Sequence, residues 1–284
     1  MNGGLLRIRE TINSIKPAEQ NAARYILDNP EEVIKLSVKE LADKSNSSQA
    51  AIIRMCKHLG LDGYKELKLR IAGDLQTLNK ENDDYKEIQP TDDTPTLINT
   101  ITENNIYSLK DTLNLLSVEN VHKASEVLFL ANRIDFYGVA ASQLIAQDAQ
   151  IKFMRINKAC TAYPDTHLQL TSAVTLTAQD VAVGISYSGE TTQTLTALEY
   201  AKKAGATTIS ITKYGPNTLS EIVDISLAIS SRESSIRSAA TSSRIAQLNV
   251  IDILFAAVAA KDYEKSVSYL KSSRDALRKE FSEN

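Results

Sequence analysis

Cysteine is nearly absent: Cys56 and Cys160 are the only two in 284 residues. They lie far apart without metal-ligand spacing, so neither a disulfide framework nor a thiolate metal site is expected, and both read as reduced thiols in packed elements. The opening MNGGLLRIRE lacks the apolar core of about 7–15 residues that a secretion signal needs. No apolar run reaches the ~18 residues that cross a bilayer; the greasiest, VIDILFAAVAA from Val250 to Ala260, is shorter and carries Asp252. Neither G-x-G-x-x-G nor a P-loop lysine motif is present, so a nucleotide cofactor is not expected. Together these absences describe a cytoplasmic chain with no membrane attachment, no metal and no cofactor.

What is present is ordinary for a folded protein, with 43% apolar and 24% charged residues. The length suits two domains. Net charge is −3, but it is unevenly spread. Residues 1–80 carry thirteen basic and ten acidic side chains, against nineteen and twenty-five in the remainder. A mildly basic head on an acidic body suits a nucleic-acid module joined to something else.

Composition shifts at NKENDDYKEIQPTDDTP, Asn79 to Pro95. This run is polar and acidic with two prolines, so it cannot present a core face and reads as a linker, residues 79–95. Residues 1–78 form one domain, with helical spacing in every periodic segment. Connector helices over 96–131 follow, their apolar positions including Leu97, Ile101, Leu109, Leu113 and Leu116, with a second helix near Val121 to Leu130. From Arg133 the runs IDFYGV, ACTAY, VAVGIS, TTISIT and ISLAIS alternate with helical stretches. Five strands separated by helices predict a doubly wound parallel sheet over 132–284, closed by an amphipathic helix from Tyr263 to Phe281. The fold class is therefore α/β, with an all-helical N-terminal domain before the sheet domain.

In the first domain, Pro17 suits the first position of a helix whose buried stripe is Ala22, Ala23, Tyr25, Ile26 and Leu27. Asn29-Pro30 ends it. Ser37 followed by Glu40 is a capping box, opening a short helix with Val38, Leu41 and Ala42 inward. Asn46 can take a left-handed conformation in a tight turn, and Ser48 caps a second helix that Gly60 stops. Ala51, Ile52, Met55, Cys56 and Leu59 point inward on that helix. Two such helices form a helix-turn-helix, whose second member enters the major groove N-terminus first. Ser37, Ser48, Gln49, Ala50, Arg54 and Lys57 are the candidate DNA contacts, with Lys65 and Lys68 on phosphates and Ile53 flanking. A helical bundle that binds protein would show the same caps. His58 reads as a helix-end residue near the C-terminal dipole.

In the second domain, S-Y-S-G-E-T-T from Ser186 to Thr192 follows a strand and precedes a helix. Its hydroxyls, Gly189 and the N–H groups of a helix N-terminus satisfy phosphate oxygens without a basic side chain. G-V-A-A-S, Gly138 to Ser142, supplies small residues and another hydroxyl at a second strand end. Plain helix capping by Ser and Thr is the alternative for either loop alone.

SYSGET, the GVAAS turn and HLGLDGYKELK together resemble the RpiR family, helix-turn-helix regulators fused to a sugar isomerase (SIS) domain, nearly end to end. DTH (Asp165 to His167) and IRSAATSSRIAQL (Ile236 to Leu248) resemble its MurR-like branch, which answers to N-acetylmuramic acid 6-phosphate. The resemblance implies that Ser186, Ser188 and Thr191 bind phosphate, that Tyr187 and Gly189 contribute backbone, and that Ser142 reaches the sugar. Glu233 and Arg237 are further candidates for sugar contacts, and His167 is either a contact or a packed or surface histidine. The implied partners are an operator in double-stranded DNA, a phosphorylated amino sugar, and copies of the chain in a homodimer or homotetramer. Ala140 departs from the glycine found in many members, which would narrow the pocket. The expected function is a regulator, a repressor of amino-sugar catabolism genes, and not an enzyme. The alternative is a sugar-phosphate isomerase or etherase, with Glu190, Glu233 or His167 as base.

Overall fold

The computed structural model describes residues 3–78, 88–230 and 241–281. The chain divides into two compact units, one running from Met1 to Leu115 and the other taking up most of the rest. The first is helical: α1 (Gly4–Thr11), α2 (Pro17–Asp28), α3 (Pro30–Val33), α4 (Val38–Lys44), α5 (Gln49–His58), α6 (Tyr64–Leu78) and α7 (Thr94–Leu115). Ile8, Ile26, Leu41, Ile52, Met55, Leu59, Leu67 and Ile71 form its fully buried core. Neither α1 nor α6 stood out in the sequence. Asp74 on α6 accepts the Gly3 and Leu5 amides (Leu5 at 2.8 Å), tying down the start of α1. Of the expected linker, residues 79–87 lie outside the described residues, and α7 begins at Thr94 within its span.

The α4–α5 corner is built as its residues dictate. Ser37 accepts the Glu40 amide at 3.2 Å while Glu40 accepts the Ser37 amide at 2.7 Å, closing the capping box. Asn46 takes φ 49°, and the Ser47 amide returns to the Ala42 carbonyl at 3.0 Å. That bond is the mark of a Schellman stop. A second one ends α5: Gly60 has φ 63°, its amide meets Lys57 O, and Leu61 N reaches Cys56 O at 2.9 Å.

The second unit continues with α8 (Val118–Leu130), β1 (Ile134–Tyr137), α9 (Ala141–Met154), β2 (Cys160–Thr161), α10 (Thr166–Ala173), β3 (Val181–Ile185) and α11 (Thr192–Lys203). Then come β4 (Thr207–Lys213), α12 (Thr218–Ile222), β5 (Ile225–Ile229), α13 (Thr241–Lys261) and α14 (Tyr263–Phe281). The five strands are parallel in the order β2-β1-β3-β4-β5. This is the doubly wound sheet expected from the alternating runs. Period-2 alternation sends Ile134, Phe136, Val181, Val183 and Ile185 to one face, against α8, α9 and α13. Tyr137 and Ala182 face the other way, against α10, α11 and α12.

α13 is longer and more apolar than the sequence run suggested. By length and composition it would cross a membrane, with a mean hydropathy of 1.4 over 18 residues. In the fold it packs on α8 and α9 and contributes Ala246, Val250, Ile251, Leu254 and Val258 to the core. Both thiols are free, and burial pushes Cys56 up to about 12 and Cys160 up to about 11. Neither has the thiolate character of a reactive cysteine.

One buried charge joins the first two strands to α10. Asp135 is fully buried and accepts from Arg133 Nη2 at 2.7 Å, Ser172 Oγ at 2.6 Å, Thr161 Oγ1 at 2.8 Å and the Tyr137 hydroxyl at 2.9 Å. Burial by itself raises its pKa, but these four donors outweigh that and hold the carboxyl below its ordinary value. Because the folded pKa is depressed, this stabilisation is present above the unfolded value of roughly 3.9. It is lost as pH falls through the folded one. Asp135→Asn is expected to destabilise the second unit by about 2–3 kcal/mol in urea denaturation at neutral pH. The deficit against wild type should shrink as pH falls below that range.

Candidate functional site

The outer face of α5 is the first candidate. Ala51, Ile52, Met55, Cys56 and Leu59 are fully buried, which leaves Gln49, Ala50, Ile53, Arg54 and Lys57 exposed together. Ser48 caps the helix by accepting the Ala51 amide at 3.1 Å. Ser37 and Ser48 are both exposed, so their hydroxyls sit at the starts of α4 and α5 on the surface. Lys65 on α6 is exposed as well. Lys68 is half-buried, donates to the Leu36 carbonyl at 2.9 Å and lies over the Tyr64 ring. Arg54 and His58 also meet a side chain that the sequence did not single out. Glu19 of α2 is wholly buried, with Arg54 Nε 3.4 Å from one carboxylate oxygen and His58 Nδ1 2.8 Å from the other.

The second candidate lies at the carboxyl ends of β1 and β3. From β1 the chain crosses to β2 on one side, then returns to β3 on the other, so the strand order reverses between these neighbours. A crevice opens at such a switch point in doubly wound sheets. Tyr137 pairs with Gly184, so GVAAS and SYSGET leave adjacent strands at nearly the same level.

The SYSGET loop is held from within. Ser186 is buried and its hydroxyl lies 2.9 Å from that of Thr191. The Gly189 amide bonds Ser186 O, and Tyr187 O accepts the Lys213 amide at 2.8 Å. Ser188, half-buried, accepts the Glu190 amide at 3.2 Å. Gly189 has φ 72°, and a Cβ there would sit 2.0 Å from Asn217 Oδ1. Asn217 cannot give way, because it caps α12 and donates to Thr212 Oγ1 and Lys213 O. Glycine is therefore required by both space and conformation.

Helix caps separate these two loops from their neighbours. Ser117, Asp165 and Asn217 cap α8, α10 and α12 through their side chains. Ala140 and Thr191, at the N-caps of α9 and α11, make no such bond. The two helices that start at the switch point thus keep first-turn amides without a side-chain cap, where the positive end of the dipole favours an anion. Ser142 is half-buried in the first turn of α9.

Ala140 is strained. Val139 to Ser142 form a turn closed by Ser142 N to Val139 O at 3.1 Å, and Ala140 has φ 52°, ψ −119°. Those are type II′ values at the first central position, which glycine dominates. The departure from glycine therefore acts on backbone conformation. Gly138 beside it has no room for a Cβ, which would fall 2.7 Å from Ser142 O.

Two buried glutamines support the turn and were not legible beforehand. Gln169 Nε2 shares its two N–H groups among three acceptors, Gly138 O at 2.9 Å, Tyr163 O at 2.7 Å and Gln143 Oε1 at 3.1 Å; Gln143 donates to Ala162 O at 2.9 Å. Of the DTH run, Asp165 is a helix cap and His167 is exposed. Glu233 and Arg237 lie outside the described residues. Glu190 is committed elsewhere: its carboxylate accepts the Thr218 amide at 2.9 Å and hydroxyl at 2.7 Å. Those bonds hold its pKa below the ordinary value, the wrong direction for a general base near neutral pH.

Residues 2–78 match the helix-turn-helix domain of the rpiR family, and residues 127–257 match the SIS domain. An uncharacterised HTH-type transcriptional regulator of Caldanaerobacter subterraneus subsp. tengcongensis is 50% identical, with 98% of each chain covered. The HTH-type regulator YbbH of Bacillus subtilis is 39% identical over 97% of each. Among solved structures, the Vibrio vulnificus NanR protein complexed with ManNAc-6P has a TM-score of 0.61 at 23% identity, covering 96% of this chain and 97% of that one. The chain belongs to the rpiR family of helix-turn-helix transcriptional regulators that carry a SIS domain.

Ala140→Gly is expected to raise stability by about 1 kcal/mol by relieving the turn. Gly189→Ala should lower it by about 2–4 kcal/mol. Urea denaturation of the two variants checks both signs.

Proposed function

We propose that the protein is a cytoplasmic regulator, a repressor of amino-sugar catabolism genes, controlled by a phosphorylated amino sugar at the β1–β3 switch point. The observation that carries this reading is the pair of helix N-termini without side-chain caps at that point. Ser142, Ser186, Ser188 and Thr191 offer hydroxyls beside them, Tyr187 and Gly189 offer loop backbone, and Glu233 and Arg237, outside the described residues, are further candidates for sugar contacts. Phosphate has acceptor oxygens only, and this site offers donors. NanR, with the same fold, is complexed with a phosphorylated amino sugar, which supports that class of effector. N-acetylmuramic acid 6-phosphate is the expected member.

The DNA-reading face is α5, with Gln49, Ala50, Arg54 and Lys57 toward bases and backbone and Ser37, Ser48, Lys65 and Lys68 on phosphates. Two heads in a homodimer or homotetramer would read a palindromic operator. The effector changes DNA affinity only through unequal affinity for two arrangements of that oligomer. Glu190 being bonded and held ionised supports sensing rather than isomerase or etherase chemistry.

Calorimetry with N-acetylmuramic acid 6-phosphate, N-acetylglucosamine 6-phosphate and the unphosphorylated sugars tests the sensor. Binding is expected only with phosphate, and Ser188→Ala should weaken it about tenfold to a hundredfold. Equal affinity with and without phosphate would sink the assignment. For DNA, Arg54→Ala and Lys57→Ala should each weaken an electrophoretic shift with the upstream region, and unchanged shifts would remove α5 as the reading helix.

A further inference from the structure

A carboxylate with no exposed surface lies directly behind the reading helix. Glu19 sits in the first turn of α2, its side chain 0% exposed, and both oxygens are directed at α5. One is 3.4 Å from Arg54 Nε and the other 2.8 Å from His58 Nδ1. These two side chains are themselves 53% and 43% exposed, so each joins a buried anchor to the outer face. They stand four positions apart, on one side of α5.

Stability alone does not call for this arrangement. Burying a carboxylate is costly, and paired charges only offset that cost; an apolar side chain of similar volume usually packs as well or better. What the carboxylate adds is direction. Arginine has five N–H donors in a planar fork. A contact at Nε from behind uses one of these five and leaves the four terminal N–H groups for another partner. A flexible arginine would lose rotamer entropy on meeting a base edge, whereas one held in advance loses less.

We propose that Glu19 is a positioning residue for DNA recognition, holding Arg54 and His58 so that Arg54 presents its free edge to a base pair. Glu19 itself does not touch DNA. The proposal rests on the assignment of Arg54 to the DNA face.

The test is a double-mutant cycle on the full chain, using an operator recovered from random duplexes by selection with the wild-type protein. A scrambled duplex of equal length is the second probe, at fixed salt. Glu19→Gln keeps the volume and an acceptor oxygen but removes the charge. It is expected to weaken operator binding about tenfold while scrambled-duplex affinity stays within about twofold. In the Arg54→Ala background, Glu19→Gln should cost less than about twofold further, and Glu19→Asp, which keeps the charge one carbon shorter, should recover part of the loss. Equal losses on operator and scrambled duplex, or equal losses with and without Arg54, would overturn the positioning role. If Arg54→Ala leaves operator affinity unchanged, the assignment of Arg54 fails first and the proposal falls with it. Should Glu19→Gln not fold, Glu19→Asp takes its place in the same cycle.

Discussion

The first N–H groups of an α-helix have no partner within the helix, and they must find one elsewhere. Much of this protein follows from how that requirement is met. In the helix-turn-helix, Ser37 and Ser48 close the starts of α4 and α5, so the corner is complete without a ligand. In the second unit the same closure is made at α8, α10 and α12 but not by side chains at α9 and α11. At α9 the Ser142 and Gln143 amides turn back instead onto the Val139 and Ala140 carbonyls.

Sheet topology decides which ends those are. The reversal of strand order between β1 and β3 separates their following helices onto opposite faces and leaves a crevice between the two turns. The residues around that crevice are specialised for close backbone approach. Gly138 has no room for a side chain, Gly189 has neither room nor an ordinary φ, and Ala140 holds a turn position that suits glycine. Gln143 and Gln169 then brace the β1 turn from below through buried amides. Neither loop carries a lysine or an arginine.

Electrostatics in the two units differ in the same sense. Asp135 is a buried charge met by four donors, and its role is to tie β1, β2 and α10 together. Glu19 is a buried charge met by two side chains that remain half-exposed. The first network joins strands to a helix through mostly buried partners, while both partners in the second are more exposed. Glu190 is different again, since its two bonds to Thr218 join the SYSGET loop to the start of α12 rather than preparing it for proton transfer.

Short-range signals explain what could be read in the chain beforehand. The capping box at Ser37, the left-handed Asn46, the Gly60 stop and the inward set Ala51, Ile52, Met55, Cys56 and Leu59 all involve residues within a few positions of each other. Alternating strand and helix runs likewise carried the five-stranded sheet, because side-chain period is a local property. The two strand-to-helix loops were legible as runs of hydroxyls and glycine between a strand and a helix. Other features depended on distant partners. Glu19 meets residues 35 and 39 positions away, Glu190 meets Thr218 across 28, and Gln169 meets Gly138 across 31. None of these has a periodicity or a spacing of its own. The amino-acid sequence by itself determined the helix-turn-helix, the strand alternation and the hydroxyl-rich loops, since each is settled by backbone preference and nearby side chains. Only the tertiary structure decided which loops share the switch point, which helix ends lack side-chain caps and where a buried carboxylate holds Arg54, because those depend on packing between segments remote in the chain.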